Sequence, residues 1–384
     1  MQKIYFDNSA TTALTEQVKR AMNEAMECYG NPSSLHSAGL EAEKILREAR
    51  KSIAEALGVR SLRDSQLIFT SSGSEASNLA IFGSVYAKAR RTANKIITTD
   101  SEHPSVENPM KRLEAEGFKI VRIPTKGGEL DMEMLCKEAE GVLLASIMMV
   151  NNETGALYDV EKAFKTIKAK SPDAVCHCDA VQGFLKKKFT PQSLGADLIT
   201  ISAHKIHGPK GVGALYIDPD MIKKKKIVPY ILGGGQEYGL RSGTENTIGI
   251  AGFGAAAKEG SASLELSLEK MRELRNYIIS NMPGEIKVND PKNAAPHVVN
   301  ITLPRIKSET MLHYLSSKGI FVSSGSACSS HSATPSSALI AFGLSPKDAD
   351  CSLRISLCEL NTKEDADALV SSLGEGLASL VRIR

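Results

Sequence analysis

The residues best suited to chemistry in this 384-residue chain sit in the stretch "ISAHKIHGPKGVG", Ile201 to Gly213. Lys205 closes a β-branched apolar run and stands directly before a loop of glycine and proline. A solvated surface lysine needs no such setting. A lysine that must shed its proton and attack a carbonyl does, because burial or nearby positive charge lowers its pKa and frees the amine. Three more polar clusters follow apolar runs in the same way. "FTSSGSEASNLA" reads as a strand, a turn through Gly73 and Ser74, and a helix start whose exposed amides suit an anion. "TDSEHPSVENP" places His103 just past the run "KIITTD". "CHCDAVQG" places Asp179 at a strand end with Gln182 three residues on. A carboxylate facing a pocket there needs a cationic partner to stay ionised at low cost.

These clusters need a scaffold that gathers them. "QLIFTSS", "KIITTD", "KIVRIP", "GVLLASIMMV", "AVCHCDA", "ADLITISA" and "VGALYID" read as strands, several without polar alternation. Strands apolar on both faces belong in a mostly parallel sheet covered by helices. "EAEKILREARKSIAEAL" carries apolar residues at three- and four-residue steps and predicts a helix, with Gly58 at its left-handed cap. The alternation predicts a large three-layer α/β domain over residues 15–260. A long helix from about Asn246 to Asn281 follows, and a bend in it is expected to mark the domain boundary. Residues 1–14 and 261–384, with strands "HVVNITL", "IFVSS" and "SLRISL", predict a smaller α+β domain. In an open α/β sheet, ligands gather beyond the carboxyl ends of the strands, where all four clusters fall.

Composition excludes several classes. The net charge is +3, with basic and acidic residues interspersed, so no strong positive field for nucleic acid is expected. The runs Lys186–Lys188 and Lys223–Lys226 read first as solvated faces, and otherwise as a docking patch for an acidic partner. No apolar segment has the length of a signal peptide or a bilayer span, and seven scattered cysteines suit a reducing cytoplasm. Cys176, His177 and Cys178 do not predict a metal site, since adjacent strand residues face opposite ways and no second ligand pair is evident. Cys136 and Cys351 read as core residues of regular elements. Cys328 differs: its loop "SSGSACSSHSATPSS" is rich in small residues, which suits a reactive thiol.

A Schiff-base lysine, a pyridinium-binding acid and donors for a phosphate are the parts that pyridoxal phosphate enzymes combine. Asp179, Gly73, Ser74, Ser202, His204 and Lys205 supply them. "HCDAVQ", "SAHKIHGPKGVGALY", "GGGQEYGLRSGTEN" and "SSGSACSS" together resemble the class V aminotransferase superfamily, and within it the cysteine desulfurases of the NifS/IscS type. The likeness runs from "YFDNSATT" to "LRISL". It implies the fold type I architecture of pyridoxal 5'-phosphate-dependent transferases, with Lys205 covalently holding the cofactor and Asp179 pairing with its ring nitrogen. Gln182 would bond the phenolic oxygen, Asn152 would support ring and substrate, and His103 would stack on the ring and serve in acid–base steps. Gly73, Ser74, Ser202 and His204 would hold the phosphate with Thr244 of a second subunit, which implies a homodimer. Arg354 would fork around the substrate carboxylate. Cys328, between Ser323 and Pro335, would take sulfur from L-cysteine as a persulfide, release L-alanine, and pass the sulfur to an acceptor. That acceptor would be an iron–sulfur scaffold or a tRNA-thiolation enzyme. Ser74 stands where many relatives have threonine, which keeps the hydroxyl. Selenocysteine lyase, another class V aminotransferase, or a non-catalytic sulfur-relay scaffold are the alternatives.

Overall fold

Wholly apolar runs cannot sit on a half-wet sheet, and here they build the centre of a covered one. The structure, a computed structural model, describes residues 3–59, 63–87, 93–324 and 335–382. Its strands are β1 (Ile4–Tyr5), β2 (Leu67–Thr70), β3 (Lys95–Thr99), β4 (Lys119–Ile123), β5 (Val142–Met148), β6 (Val175–Asp179), β7 (Leu198–Ser202), β8 (Gly213–Ile217), β9 (Lys287–Val288), β10 (Val298–Thr302), β11 (Ile320–Phe321) and β12 (Ser352–Ser356). Seven of them form the main sheet in the order β2-β8-β7-β6-β5-β3-β4. All its pairings are parallel except those of β8, which runs antiparallel to both β2 and β7.

The helices are α1 (Glu16–Met26), α2 (Ser37–Ala56), α3 (Gly73–Val85), α4 (Pro104–Ala115), α5 (Met132–Glu138), α6 (Val160–Lys170), α7 (Pro191–Leu194), α8 (Pro219–Lys223), α9 (Thr247–Ser280), α10 (Ser308–Ser317), α11 (Ser337–Phe342), α12 (Pro346–Asp350) and α13 (Lys363–Ser379). Strand periodicity decides which layer each residue serves. Ile97, Ala145, Cys176, Cys178 and Ile199 pack with Leu46 and Ile53 of α2, Phe164 of α6 and Phe253 of α9. Ile96, Leu144, Val175 and Leu198 pack on the opposite face with Leu79 of α3, Met110 of α4 and Met221 of α8. His177, between the two core cysteines, bonds sideways to Ser146 Oγ and Thr200 Oγ1. Gly58 takes φ +76° after α2, and a Cβ there would stand 2.7 Å from Thr190 Cγ2.

α9 is one continuous helix of 34 residues, and the core it serves changes along its length. Phe253, Ala256 and Ala257 join the main core, whereas Leu268, Met271, Leu274 and Ile278 join a second. Leu264 touches both. The second core is built on the antiparallel sheet β12-β10-β9 and the parallel pair β1-β11. Cys136 lies on a regular element, α5, but is exposed and not a core residue: that short helix buries Leu135 instead. Cys351 is buried ahead of β12. Lys186 is buried, so that lysine run is not a solvated face throughout, while Lys224 and Lys226 pair with Asp220 and Asp173. Among the described residues no helix is long and apolar enough to cross a membrane.

Candidate active site

The carboxyl ends of β2, β3, β5, β6 and β7 open onto one cavity of about 260 Å³. Ten of the residues singled out from sequence line it: Gly73, Ser74, His103, Asn152, Asp179, Gln182, Ser202, His204, Lys205 and Arg354. Thr244 is exposed on the loop before α9 and does not line it. Cys328 lies outside the described residues. The flanks of its loop are tied near the cavity. Ser323 exchanges backbone hydrogen bonds of 2.8 and 3.1 Å with Arg354. Ser336 donates to Glu153 Oε2 at 2.6 Å.

Each wall of the cavity follows from a local rule. Ser72 caps α3, its Oγ accepting from Glu75 N at 3.1 Å, so the amides of Gly73 and Ser74 precede the first intrahelical bond. A Cβ on Gly73 would lie 2.9 Å from Val181 Cγ2, so a glycine lets the helix start close against the loop after β6. His103 caps α4 and accepts the Ser105 amide at Nδ1, 3.1 Å away, which leaves the ring proton on Nε2. Burial, then the charge of Lys205, push His103 down to about 4, so the imidazole is neutral at neutral pH. Burial likewise lowers His204 to about 4, helped by Lys205, Lys186 and Lys210.

Asp179 is nearly fully buried, and that burial raises its carboxyl to about 6 despite a hydrogen bond from Val181 N and the pull of Lys205. Lys205 Nζ donates to the carbonyls of Ser9 at 2.6 Å and Ala10 at 2.8 Å. Gln182 Nε2 donates to the same Ser9 carbonyl at 2.9 Å. Sequence reasoning named neither Ser9 nor Ala10. Their contribution is main-chain oxygen, which no side-chain pattern announces, although "DNSATT" before α1 is a compact polar run. Thr12 locks this segment on the lysine turn: its amide donates to His204 O and its hydroxyl accepts from His207 N. Glu102 was also missed. Its buried carboxyl, raised to about 8 by burial, accepts from Met148 N and Thr99 Oγ1 behind Asp179.

Arg354 is almost wholly buried on β12, with Nη1 donating to Asn152 O at 3.0 Å and Nη2 to Asp7 Oδ1 at 2.7 Å. Among the described residues its Nε is buried without a hydrogen-bond partner, as is Ser9 Oγ. Such orphans are rare in protein interiors, and both belong to residues that line the cavity.

Fold and cavity together define an α/β protein built around a partly buried lysine at the strand ends. The family description "Aminotransferase class-V" matches residues 4–369, and the chain belongs to that family. It is 39% identical over 371 residues to a cysteine desulfurase IscS of Dictyoglomus turgidum, covering 95% of this chain and 92% of that protein. The solved structure of a NifS-like protein superposes with a TM-score of 0.91 at 35% identity, covering 99% of this chain and all of the other. That of SspA in complex with cysteine gives 0.80 at 32% identity, over 94% and 100%.

Proposed function

We propose that the chain is a pyridoxal 5'-phosphate-dependent cysteine desulfurase that converts L-cysteine to L-alanine and carries the sulfur as a persulfide on Cys328. One observation supports this most: Lys205, Asp179, Arg354 and the amino end of α3 line a single cavity. The donor set fits the cofactor. Gly73, Ser74, Ser202 and His204 would hold a phosphate at a helix N-terminus. Asp179 would meet the ring nitrogen, Gln182 the phenolic oxygen, and Lys205 the aldehyde carbon. Bound there, the cofactor supplies an electron sink for the α-carbon of an amino acid.

The remaining work falls to the chain's own groups. Arg354, already oriented by Asp7 and the Asn152 carbonyl, grips the substrate carboxylate through its planar fork. Lys205, released as a free amine, moves the α-proton, with the Ser9 and Ala10 carbonyls steadying its Nζ. Neutral His103, whose Nε2 carries the ring proton, donates a hydrogen bond that favours ionisation of the substrate or Cys328 sulfur, because a free thiol is only a few per cent ionised near pH 7. Cys328 Sγ then attacks the substrate sulfur. The new S–S bond forms as the Cβ–S bond breaks, and the carbon keeps the electron pair and takes a proton to become alanine. Cys328 is five residues beyond Ser323, a length of chain that reaches at most about 17 Å.

In this reading Thr244 completes the phosphate site of a second subunit. Its exposure fits that role, as do exposed Tyr29, Leu35 and Leu232, which suit a homodimer interface. The acceptor is an iron–sulfur scaffold or a tRNA-thiolation protein, and the compartment is the cytoplasm. The test measures alanine and sulfide from L-cysteine. Lys205→Ala loses both activity and the visible absorbance of bound cofactor. Cys328→Ala keeps the absorbance and releases no sulfide; full turnover in that variant would rule the nucleophile out.

A further inference from the structure

Behind the lysine turn, three potential metal ligands from distant parts of the chain converge. His207 Nε2 lies 3.4 Å from Glu359 Oε1, and the ligand atoms of His207, Cys358 and Glu359 all fall within 4.8 Å of one another. Bonds of about 2.0 Å to nitrogen and oxygen and 2.3 Å to sulfur put the corners of a zinc tetrahedron about 3.3–3.6 Å apart. The histidine–carboxylate separation has that value before any ion is bound. We propose that His207, Cys358 and Glu359 form a binding site for a thiophilic divalent cation, Zn²⁺ foremost, distinct from the cofactor cavity.

Three further features support it. The other ring nitrogen, His207 Nδ1, is 2.8 Å from the Ala13 carbonyl, the backbone hydrogen bond that fixes a ligating imidazole with Nε2 toward the ion. His207 holds φ +64°, an uncommon conformation for a non-glycine residue that costs free energy and persists when surrounding contacts enforce it. Thr12 does so here through the 2.7 Å bond to His207 N. The Cys358 turn is also preset, its amide donating to Asn361 Oδ1 at 2.9 Å while Asn361 Nδ2 holds the Tyr5 carbonyl at 3.0 Å. His207 and Cys358 are buried and the Glu359 side chain is 32% exposed, so the glutamate side is the one nearest solvent.

The charge of buried Lys186 acts on the same thiol and carboxylate, and among the described residues its Nζ has no hydrogen-bond partner. It repels any dication alike, and the selectivity comes from the thiolate ligand, which favours Zn²⁺ or Co²⁺ over Mg²⁺ or Ca²⁺. A bound ion would clamp the 7–13 segment, the lysine turn and the loop after β12 to one another.

The assignment is tested by titrating Co²⁺ into cofactor-loaded Cys328→Ala protein, so that this cysteine cannot supply the sulfur. The expected result is tetrahedral cobalt absorption saturating at one ion per chain, displaced by Zn²⁺ and not by Mg²⁺. His207→Ala and Cys358→Ser abolish it, while cofactor absorbance reports that each variant is folded. Glu359→Gln, on the exposed side, weakens Zn²⁺ at least tenfold and serves as the test if Cys358→Ser does not fold. Absence of the tetrahedral bands, their survival in Cys358→Ser, or unchanged Zn²⁺ affinity in Glu359→Gln overturns the site and leaves only a hydrogen-bonded histidine–glutamate pair.

Discussion

Asp179 shows how a single residue couples stability to use. Its carboxyl has a folded-state pKa of about 6, raised by burial, against an ordinary value near 3.8. Between those values the unfolded chain is ionised and the fold holds a proton, so stability falls as pH rises through the window and the deficit is complete above it. Asp179→Asn removes the deficit, and its side-chain oxygen can still accept the Val181 amide. We expect the cofactor-free variant to gain on the order of 1–3 kcal/mol at pH 7.5 and nothing at pH 3, read by urea unfolding. Desulfurase turnover should fall at least a hundredfold, because an amide cannot keep the ring nitrogen protonated. Arg354 offers a second case. A lysine there cannot hold both the Asn152 carbonyl and Asp7 while gripping a substrate carboxylate. Arg354→Lys is expected to raise KM for cysteine tenfold or more with cofactor absorbance unchanged, whereas loss of absorbance would mean that the residue chiefly shapes the cavity.

Among the elements, the loop that leads to Thr244 is clipped to the sheet by one buried ion pair. Arg50 of α2 meets Glu237 at 2.8 Å, Glu237 accepts the Phe69 amide of β2 at 2.7 Å, and both side chains are almost fully buried. Truncating one partner strands the other charge, so Glu237→Ala is expected to cost about 3–5 kcal/mol in chemical unfolding. A cost under 1 kcal/mol would mean that water reaches the pair. Such long-range clips mark the limit of what the chain order reveals. Strands β2, β3 and β5 to β8 were legible because burial on both faces writes largely apolar runs, and the strand-end polar residues were legible because such sheets bind ligands there. The reversed direction of β8 was not, since a strand reads alike both ways. Nor were the Ser9 and Ala10 carbonyls, or the meeting of His207 with Glu359, which are 152 positions apart. Cys136 misled because lying on a regular element does not by itself put a residue on the buried face, which here carries Leu135. Lys186 misled because a run of like residues hides the one member that turns inward.

Across the whole molecule, the same burial that tunes the site sets the response to acid. His103, His177, His204 and His297 are all held neutral: burial lowers His177 to about 3, His103 and His204 to about 4, and His297 well below its ordinary value. For each, stability is complete above the unfolded value near 6.5 and is lost as pH falls toward the folded one, because only the unfolded chain accepts the proton. Glu102 and Asp179 act in the opposite sense, being protonated in the fold near pH 5 and ionised in the unfolded chain. Burial also raises Asp100, Glu153 and Glu245, which offset part of the histidine contribution, while each of the four histidines takes up close to one proton on unfolding near pH 5. Each such proton corresponds to a loss of roughly 1.4 kcal/mol per pH unit. Urea unfolding of the cofactor-free protein at pH 5.5 and 4.5 measures this slope. His177 is the clearest single contributor, since it lies away from the cavity between Ser146 Oγ and Thr200 Oγ1. His177→Gln is expected to be less stable at pH 7, having lost a hydrogen bond, and yet to lose stability more slowly on acidification by about one proton's worth. An unchanged slope in that variant would show that His177 is not the group charging on unfolding, and would place acid sensitivity in the cavity histidines instead.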